Sequence, residues 1–349
     1  MSLDDHGGWP GVLGELSAGN DLPADAAEAI LATVLVGEAT DAQLAAFVVA
    51  LRQKGETVDE MTGLVRAMRG AALPLKVPEH TIDLVGAGGS RMGREAALNV
   101  STLASFVAAG AGATVCKHGN RKASSTSGSF DVLEALGVAI ELEAEAVEEC
   151  VREVGVGFAF ARTFHPAMRF AGPVRAQLGI PTVFNILGPL SHPGLLTRQV
   201  VGVPDIETGK RMAAVLAATG SEYAMVVTGD GGLDELSTTG PNTIHEVHGA
   251  DTISTITLDP AELGLAAATH ADLHGGDAAA NAAIAHRIFG GEAGPYRDIV
   301  VLNAAAGLVT AGIAEDLGDG CERSGAAIDS GAAAARLSQL VELSQRLAG

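Results

Sequence analysis

Ile82-Asp83-Leu84-Val85-Gly86-Ala87-Gly88-Gly89-Ser90 is an apolar strand that breaks into a glycine-rich turn. From Thr81 onward the same kind of short β-branched or apolar run recurs at Ala113 to Cys116, Val138 to Leu142, Gly157 to Ala161, Thr182 to Phe184, Arg198 to Val203, Ala224 to Thr228 and Ile244 to Val247. Helical patterns at 130 to 136, 145 to 153 and 206 to 219 separate them. This alternation predicts an α/β fold: a mostly parallel central sheet flanked by helices, with ligands at the carboxyl ends of the strands. Residues 98 to 116 read as a buried helix running into a strand, too rich in polar groups and glycine for a membrane span.

Working backward, residues 22 to 72 carry apolar side chains at helical spacing, with Gly37 and Gly55 at helix ends and Thr40 and Thr57 at caps. Pro74 and Pro78 mark a linker. The expected organisation is a smaller all-helical domain over 1–76, completed by helices near 165–180, and an α/β domain over 77–349. Residues 162 to 180 read as a helix interrupted by Pro173, with Arg169 and Arg175 near its middle; an arginine offers a planar fork for carboxylate or phosphate. Asn185 to Leu190 reads as a turn after a strand. Toward the C-terminus, Gly275-Gly276-Asp277 caps a helix over 278 to 288, 296 to 314 is a second helix and 323 to 347 a terminal one. Asn281 and Asn303 read as buried polar caps or helix-helix contacts.

Chemistry concentrates in three loops. The glycines of the first turn let backbone N–H groups approach phosphate oxygens closely, and a following helix N-terminus adds a favourable dipole. Asn99-Val100-Ser101-Thr102 is a helix-capping pattern. The second loop, Lys117-His118-Gly119-Asn120-Arg121-Lys122-Ala123-Ser124-Ser125-Thr126-Ser127-Gly128-Ser129, mixes cationic, amide and hydroxyl side chains with glycine, the inventory of a polyanion site. The third, Gly229-Asp230-Gly231-Gly232-Leu233-Asp234-Glu235, puts adjacent carboxylates at a strand end and suits a hard cation such as Mg²⁺. A net charge of −20 argues against a nucleic-acid partner, which needs a basic face. The acidic start lacks an apolar signal region, and Cys116, Cys150 and Cys321 have neither disulfide nor metal spacing, so a cytoplasmic protein with reduced thiols is expected.

The run KHGNRKASSTSGSFDVLEALGV, with NVST before it, HPAMRFAGPVRAQLGIPTVFNILGPL after it, then GLDELS and GGDAAANAAI, resembles the anthranilate phosphoribosyltransferase family over nearly the whole chain. GEATDAQLAAFVVALRQKGET is similar to that family's helical domain. The resemblance implies transfer of phosphoribose from phosphoribosyl pyrophosphate to the amino group of anthranilate, with Mg²⁺, by a homodimer formed through the helical domain. It implies phosphoribosyl pyrophosphate contacts at Gly86, Gly89, Ser90, Asn99, Ser101, Thr102, Lys117, His118, Gly119, Asn120, Arg121, Ser124, Ser125 and Ser129. Anthranilate contacts are implied at Gly86, Asn120, His165 and Arg175, and metal contacts at Ser101, Asp234 and Glu235. No protein nucleophile is expected.

The family's glycine loop usually reads GTGGD; here it is GAGGS, with Ala87, Ser90 and a later Ala97 in place of a threonine, an aspartate and a second threonine, and a longer spacer carrying Arg91, Arg94 and Glu95. Three readings follow: an active transferase in which Arg91, Arg94 or Glu95 compensates, a phosphoribosyltransferase or phosphorylase of the same fold with another aromatic acceptor, and a non-catalytic ligand-binding relative.

Overall fold

The protein is described from a computed structural model covering residues 1–88, 98–121 and 127–349. Gly89, Ser90, Ser124 and Ser125 lie outside the described residues, as do Arg91, Arg94, Glu95 and Ala97.

The chain begins as helices Gly8–Ser17, Ala24–Leu35, Asp41–Lys54 and Val58–Ala71. Two starts carry reciprocal capping boxes, Thr40 with Gln43 and Thr57 with Glu60, as the sequence indicates. Glu60 does more than cap. Fully buried, it also accepts from the Leu22 N–H at 2.9 Å and pairs with the Lys54 ammonium at 2.9 Å, so one carboxylate ties three segments of the bundle. Gly63 lets Ala24–Leu35 and Val58–Ala71 meet backbone to backbone, since a Cβ there would lie 1.9 Å from the Ala24 carbonyl oxygen.

A seven-stranded sheet follows: β1 (Ile82–Gly86), β2 (Val115–Gly119), β3 (Val156–Phe160), β4 (Arg198–Gly202), β5 (Tyr223–Thr228), β6 (Asn242–His248) and β7 (Thr252–Leu258), in the order β3-β2-β1-β4-β5-β6-β7. The first five are parallel and β6 and β7 are antiparallel, which makes the sheet mostly parallel. One face packs on helices Val100–Gly110, Pro295–Thr310 and Ala332–Ala348. The other packs on Ile206–Ala218 and the N-terminal bundle, where Phe47 and Leu64 share an apolar cluster with Phe184, Leu187, Val201 and Met212. No helix among the described residues is long and apolar enough to cross a membrane.

Several local expectations are corrected. Val138 to Leu142 is not a strand, because its Ala139 N–H is taken by the Ser344 hydroxyl (3.0 Å) of the terminal helix. Thr182 to Phe184 is not one either: Asn185 Oδ1 accepts from Thr182 N at 3.0 Å and opens a helix over Phe184–Leu190, where a turn was expected. The stretch over 162 to 180 is three short pieces, Ala161–Phe164, Pro166–Phe170 and Gly172–Leu178, and Pro173 opens the last of them, where a missing N–H has no cost. The terminal pattern splits into Leu317–Asp329 and Ala332–Ala348 at Gly331, whose φ is 77°. β7 goes beyond the expected strands, although its Thr/Ile alternation carries the signal.

Within β1, Asp83 is fully buried beside its register partner Gln199 on β4, and its Oδ1 accepts from the His118 N–H at 3.1 Å. Burial pushes this carboxyl up to about 7, against the pull of the Lys117 ammonium.

Replacing Glu60 by Ala leaves the buried Leu22 N–H without its partner and takes from Lys54 its buried counter-charge, leaving it Asp21 and the Gly55 carbonyl, and should lower stability by about 2–3 kcal/mol. Asp21→Ala, which removes the exposed partner of Lys54, should change it by less than about 1 kcal/mol. Thermal melts of the two variants check this, and equal shifts would refute it. For Asp83, the native state keeps the proton to about pH 7 whereas the unfolded chain releases it near 3.8. Its contribution is therefore complete below pH 4 and is lost as pH rises through 7. Asp83→Asn should melt with less loss than the parent between pH 5 and 8; parallel pH curves would contradict the assignment.

Candidate active site

The chain runs from β1 outward to β2 and β3, then returns across β1 to start β4, so the sheet reverses its winding between β1 and β4. At such a switch point the carboxyl ends of adjacent strands diverge into a crevice. Here Gly86 and Gly202 are register partners at the two strand ends, and the third loop lies over them. A Cβ on Gly202 would sit 1.8 Å from the Asp234 carbonyl oxygen, and one on Gly86 2.7 Å from Asp234 Oδ2. Gly88, in the left-handed region at φ 73°, donates its N–H to Asp234 Oδ2 at 2.8 Å. Ala87 N–H donates to the Gly202 carbonyl at 2.8 Å, which seals the turn to β4.

Beside Asp234, Glu235 Oε1 accepts from the Ser101 N–H at 3.2 Å, in the first turn of helix Val100–Gly110. A carboxylate at a helix N-terminus meets both an unpaired donor and the positive end of the dipole. Even so, burial pushes Glu235 up to about 7, with Asp234 adding repulsion and Lys117 and Ser101 opposing; burial raises Asp234 as well. Lys117, on β2 and 3% exposed, donates to the Leu84 carbonyl at 2.5 Å. Burial lowers its pKa, while Asp83, Glu235 and Asp234 hold the charge on it. Two desolvated carboxylates facing one ammonium form an oxygen donor set that fits a hard dication such as Mg²⁺.

Asn99 stands at the start of that helix but does not cap it. Its Nδ2 donates to the Ser127 carbonyl at 3.2 Å and its Oδ1 accepts from Asn281 at 2.8 Å, so the amide spans to the second loop instead. Ser101 and Thr102 are buried beside it. In the second loop the Ser129 hydroxyl donates to the Asn120 carbonyl at 3.1 Å and lies over Gly119, where a Cβ would come within 2.4 Å of it. Arg121 turns outward and pairs with Glu134 and Asp131.

His118, at the end of β2, is 4% exposed, its ring tilted against that of His165 at 5.1 Å and edge-on to that of His192 at 5.7 Å between centroids. All three are neutral near pH 7, because burial pushes His118 well below its ordinary value, His165 to about 4 and His192 to about 3. The expected site residues do not include His192. Its Nε2 bonds the Cys116 carbonyl at 2.9 Å and its Nδ1 accepts from Gly194 N at 2.9 Å; Ser191-His192-Pro193-Gly194 signals only a turn. The guanidinium of Arg175, on Gly172–Leu178, lies over the Phe184 ring at 5.3 Å and has no hydrogen-bond partner among the described residues. Burial lowers its pKa. Arg169 differs: exposed, it rests on Phe170 and bonds the Pro166 carbonyl. Gly86, Ser101, Lys117, Asp234 and Glu235 thus converge, with Asn99 at their edge, whereas no bond or ring contact among the described residues joins Arg175 to them.

Two family models cover the chain: the α/β domain of a glycosyl transferase family over residues 78–334 and the helical bundle domain of a glycosyl transferase family over 10–72. Anthranilate phosphoribosyltransferase of Rhodococcus jostii (strain RHA1) is 48% identical over 97% of this chain and 94% of its own. The crystal structure of anthranilate phosphoribosyltransferase from Thermus thermophilus superposes with a TM-score of 0.90 at 40% identity, covering 96% of this chain and 99% of that one. The Saccharomyces cerevisiae enzyme, in complex with PRPP and Mg, shares the fold at a TM-score of 0.87 and 24% identity, over 99% of this chain and 98% of its own. A glycine pair under an acidic loop, a buried lysine beside it and relatives matched along almost their full length agree, and the chain belongs to the anthranilate phosphoribosyltransferase family.

Proposed function

We propose that this protein transfers the phosphoribosyl group of phosphoribosyl pyrophosphate to the amino group of anthranilate, giving N-(5-phosphoribosyl)anthranilate and pyrophosphate, with Mg²⁺. The observation that carries the reading is the Asp234-Glu235 pair seated on Gly86 and Gly202 and faced by buried Lys117. The relatives reported above carry that activity in their names, which favours anthranilate over another acceptor and an enzyme over a non-catalytic relative.

Phosphoribosyl pyrophosphate would lie along Gly86, Gly89, Ser90, Asn99, Ser101, Thr102, Lys117, His118, Gly119, Asn120, Arg121, Ser124, Ser125 and Ser129. For Arg121 this requires leaving an exposed ion pair, a small cost. Asp234, Glu235 and Ser101 would hold Mg²⁺, which supplies a dication against the charge of pyrophosphate. Lys117 adds a positive charge already desolvated, so it acts at low dielectric without reorganising. The anthranilate amine is neutral and carries its own lone pair, so bond formation at the sugar carbon and departure of pyrophosphate need no protein nucleophile. The residues position and stabilise.

Arg175 would take the anthranilate carboxylate, with Gly86, Asn120 and His165 around the ring. His165, neutral near pH 7, would not compete with Arg175 for the carboxylate. Residues 1–76 with 165–180 would form a unit that closes over the α/β domain, 77–349, and excludes water. Exposed Val36 and Val49 give the helical unit apolar surface for a homodimer, and three buried free cysteines suit a reducing cytoplasm.

Mixing the protein with phosphoribosyl pyrophosphate, Mg²⁺ and anthranilate should quench anthranilate fluorescence, and Asp234→Ala/Glu235→Ala should slow this by at least about 100-fold. A wild-type protein that leaves the fluorescence unchanged would refute the assignment. Arg175→Ala should raise KM for anthranilate about 30- to 100-fold, the loss of a charge-assisted fork, and leave KM for phosphoribosyl pyrophosphate within about twofold. A rise in both constants alike would place Arg175 elsewhere.

A further inference from the structure

Two buried asparagines of the C-terminal helices take no part in the chemistry assigned above, yet each bonds directly to one half of the site. Asn281, fully buried in the first turn of helix Ala278–Phe289, accepts from Gly276 N at 2.8 Å and donates through Nδ2 to Asn99 Oδ1 at 2.8 Å. Asn99 can then only turn its NH₂ toward Ser127, whose carbonyl it meets at 3.2 Å. The chain of donors sets the orientation of an amide whose two ends are otherwise nearly equal in shape. Among the described residues this leaves one Asn99 amide proton for a ligand.

Asn303, 2% exposed on Pro295–Thr310, grips the backbone of Leu236 with both amide atoms. Its Oδ1 accepts from Leu236 N at 2.9 Å, and its Nδ2 donates to Leu236 O at 2.8 Å and to Ile299 O at 2.9 Å. Leu236 directly follows Glu235. An aspartate at 303 would set its carboxylate against two carbonyl oxygens, and an apolar residue would leave the N–H and carbonyl of Leu236 without their Asn303 partner in the interior.

We propose that Asn281 and Asn303 are positioning residues for separate halves of the site: Asn281 for the phosphate loops through Asn99, Asn303 for the metal-binding carboxylates through Leu236. This rests on the transferase reading above. Neither would touch substrate. Their effects should therefore divide by ligand, where a packing role would lower everything together.

The test is steady-state kinetics of Asn281→Asp and Asn303→Asp beside the parent, with melting temperatures. Asn281→Asp should raise KM for phosphoribosyl pyrophosphate about tenfold and leave the Mg²⁺ activation constant unchanged. Asn303→Asp should raise the Mg²⁺ activation constant about tenfold and leave KM for anthranilate unchanged. Should either aspartate prevent folding, Asn281→Ser and Asn303→Ser, which keep a smaller polar group, are read in the same way. Variants that lose kcat with unchanged constants, or shift all constants together in step with their melting temperatures, overturn the proposal. A parent without turnover overturns the transferase reading itself, a result distinct from either.

Discussion

The site depends on the space left by two missing side chains. Gly86 and Gly202 end neighbouring parallel strands at one level, and the backbone and carboxylate of Asp234 occupy the volume that two Cβ atoms would fill. Close packing transmits such a contact without slack. With the loop pressed onto the sheet, Gly88 reaches Asp234 and Ser101 reaches Glu235 through backbone N–H groups, whose positions follow from strand and helix rather than from side-chain rotamers. A methyl group at Gly202 would overlap a carbonyl oxygen at 1.8 Å, and only displacement of the whole acidic loop could relieve it.

Electrostatics follow from that packing. Asp234 and Glu235 sit where ionisation is costly, and Lys117 is the nearby charge that moderates the cost. Asp83, buried one strand away, helps hold the charge on that ammonium, while burial moves its own carboxyl toward the neutral form near pH 7. Three adjacent imidazoles are neutral for the same reason. In a chain of net charge −20, the interior at the strand ends therefore remains able to receive a polyanion with its cation.

Legibility in the sequence followed the physics of each feature. The strand at Ile82 to Gly86 and the capping threonines 40 and 57 are local signals, and the fold reproduces what they imply. Val138 to Leu142 and Thr182 to Phe184 have strand composition, but distant hydroxyl and amide groups claim their backbone, which no local window contains. Glycine 202 could be read only as a strand residue, because its partner in space is 32 positions further on. Asn99 fits a cap by pattern and is drawn to Ser127 and Asn281 by tertiary contact. His192 has a turn for its only sequence signal, and its burial against His118 arises from the return of the chain beneath β2.

Arg175 completes the division between the two halves. The residues proposed for phosphate and metal stand on strands, helix termini and backbone clamps, whereas this guanidinium lies on a seven-residue helix whose Val174 packs with the N-terminal bundle. It is partly desolvated, rests on Phe184 and lacks a hydrogen-bond acceptor among the described residues. A cation held in that way has given up hydration without gaining a counter-charge, so the first carboxylate to reach it recovers the difference. An aromatic carboxylate satisfies both neighbours at once, the fork through its oxygens and the apolar surround through its ring. Acceptor selectivity would then arise from a deficit built into the free protein.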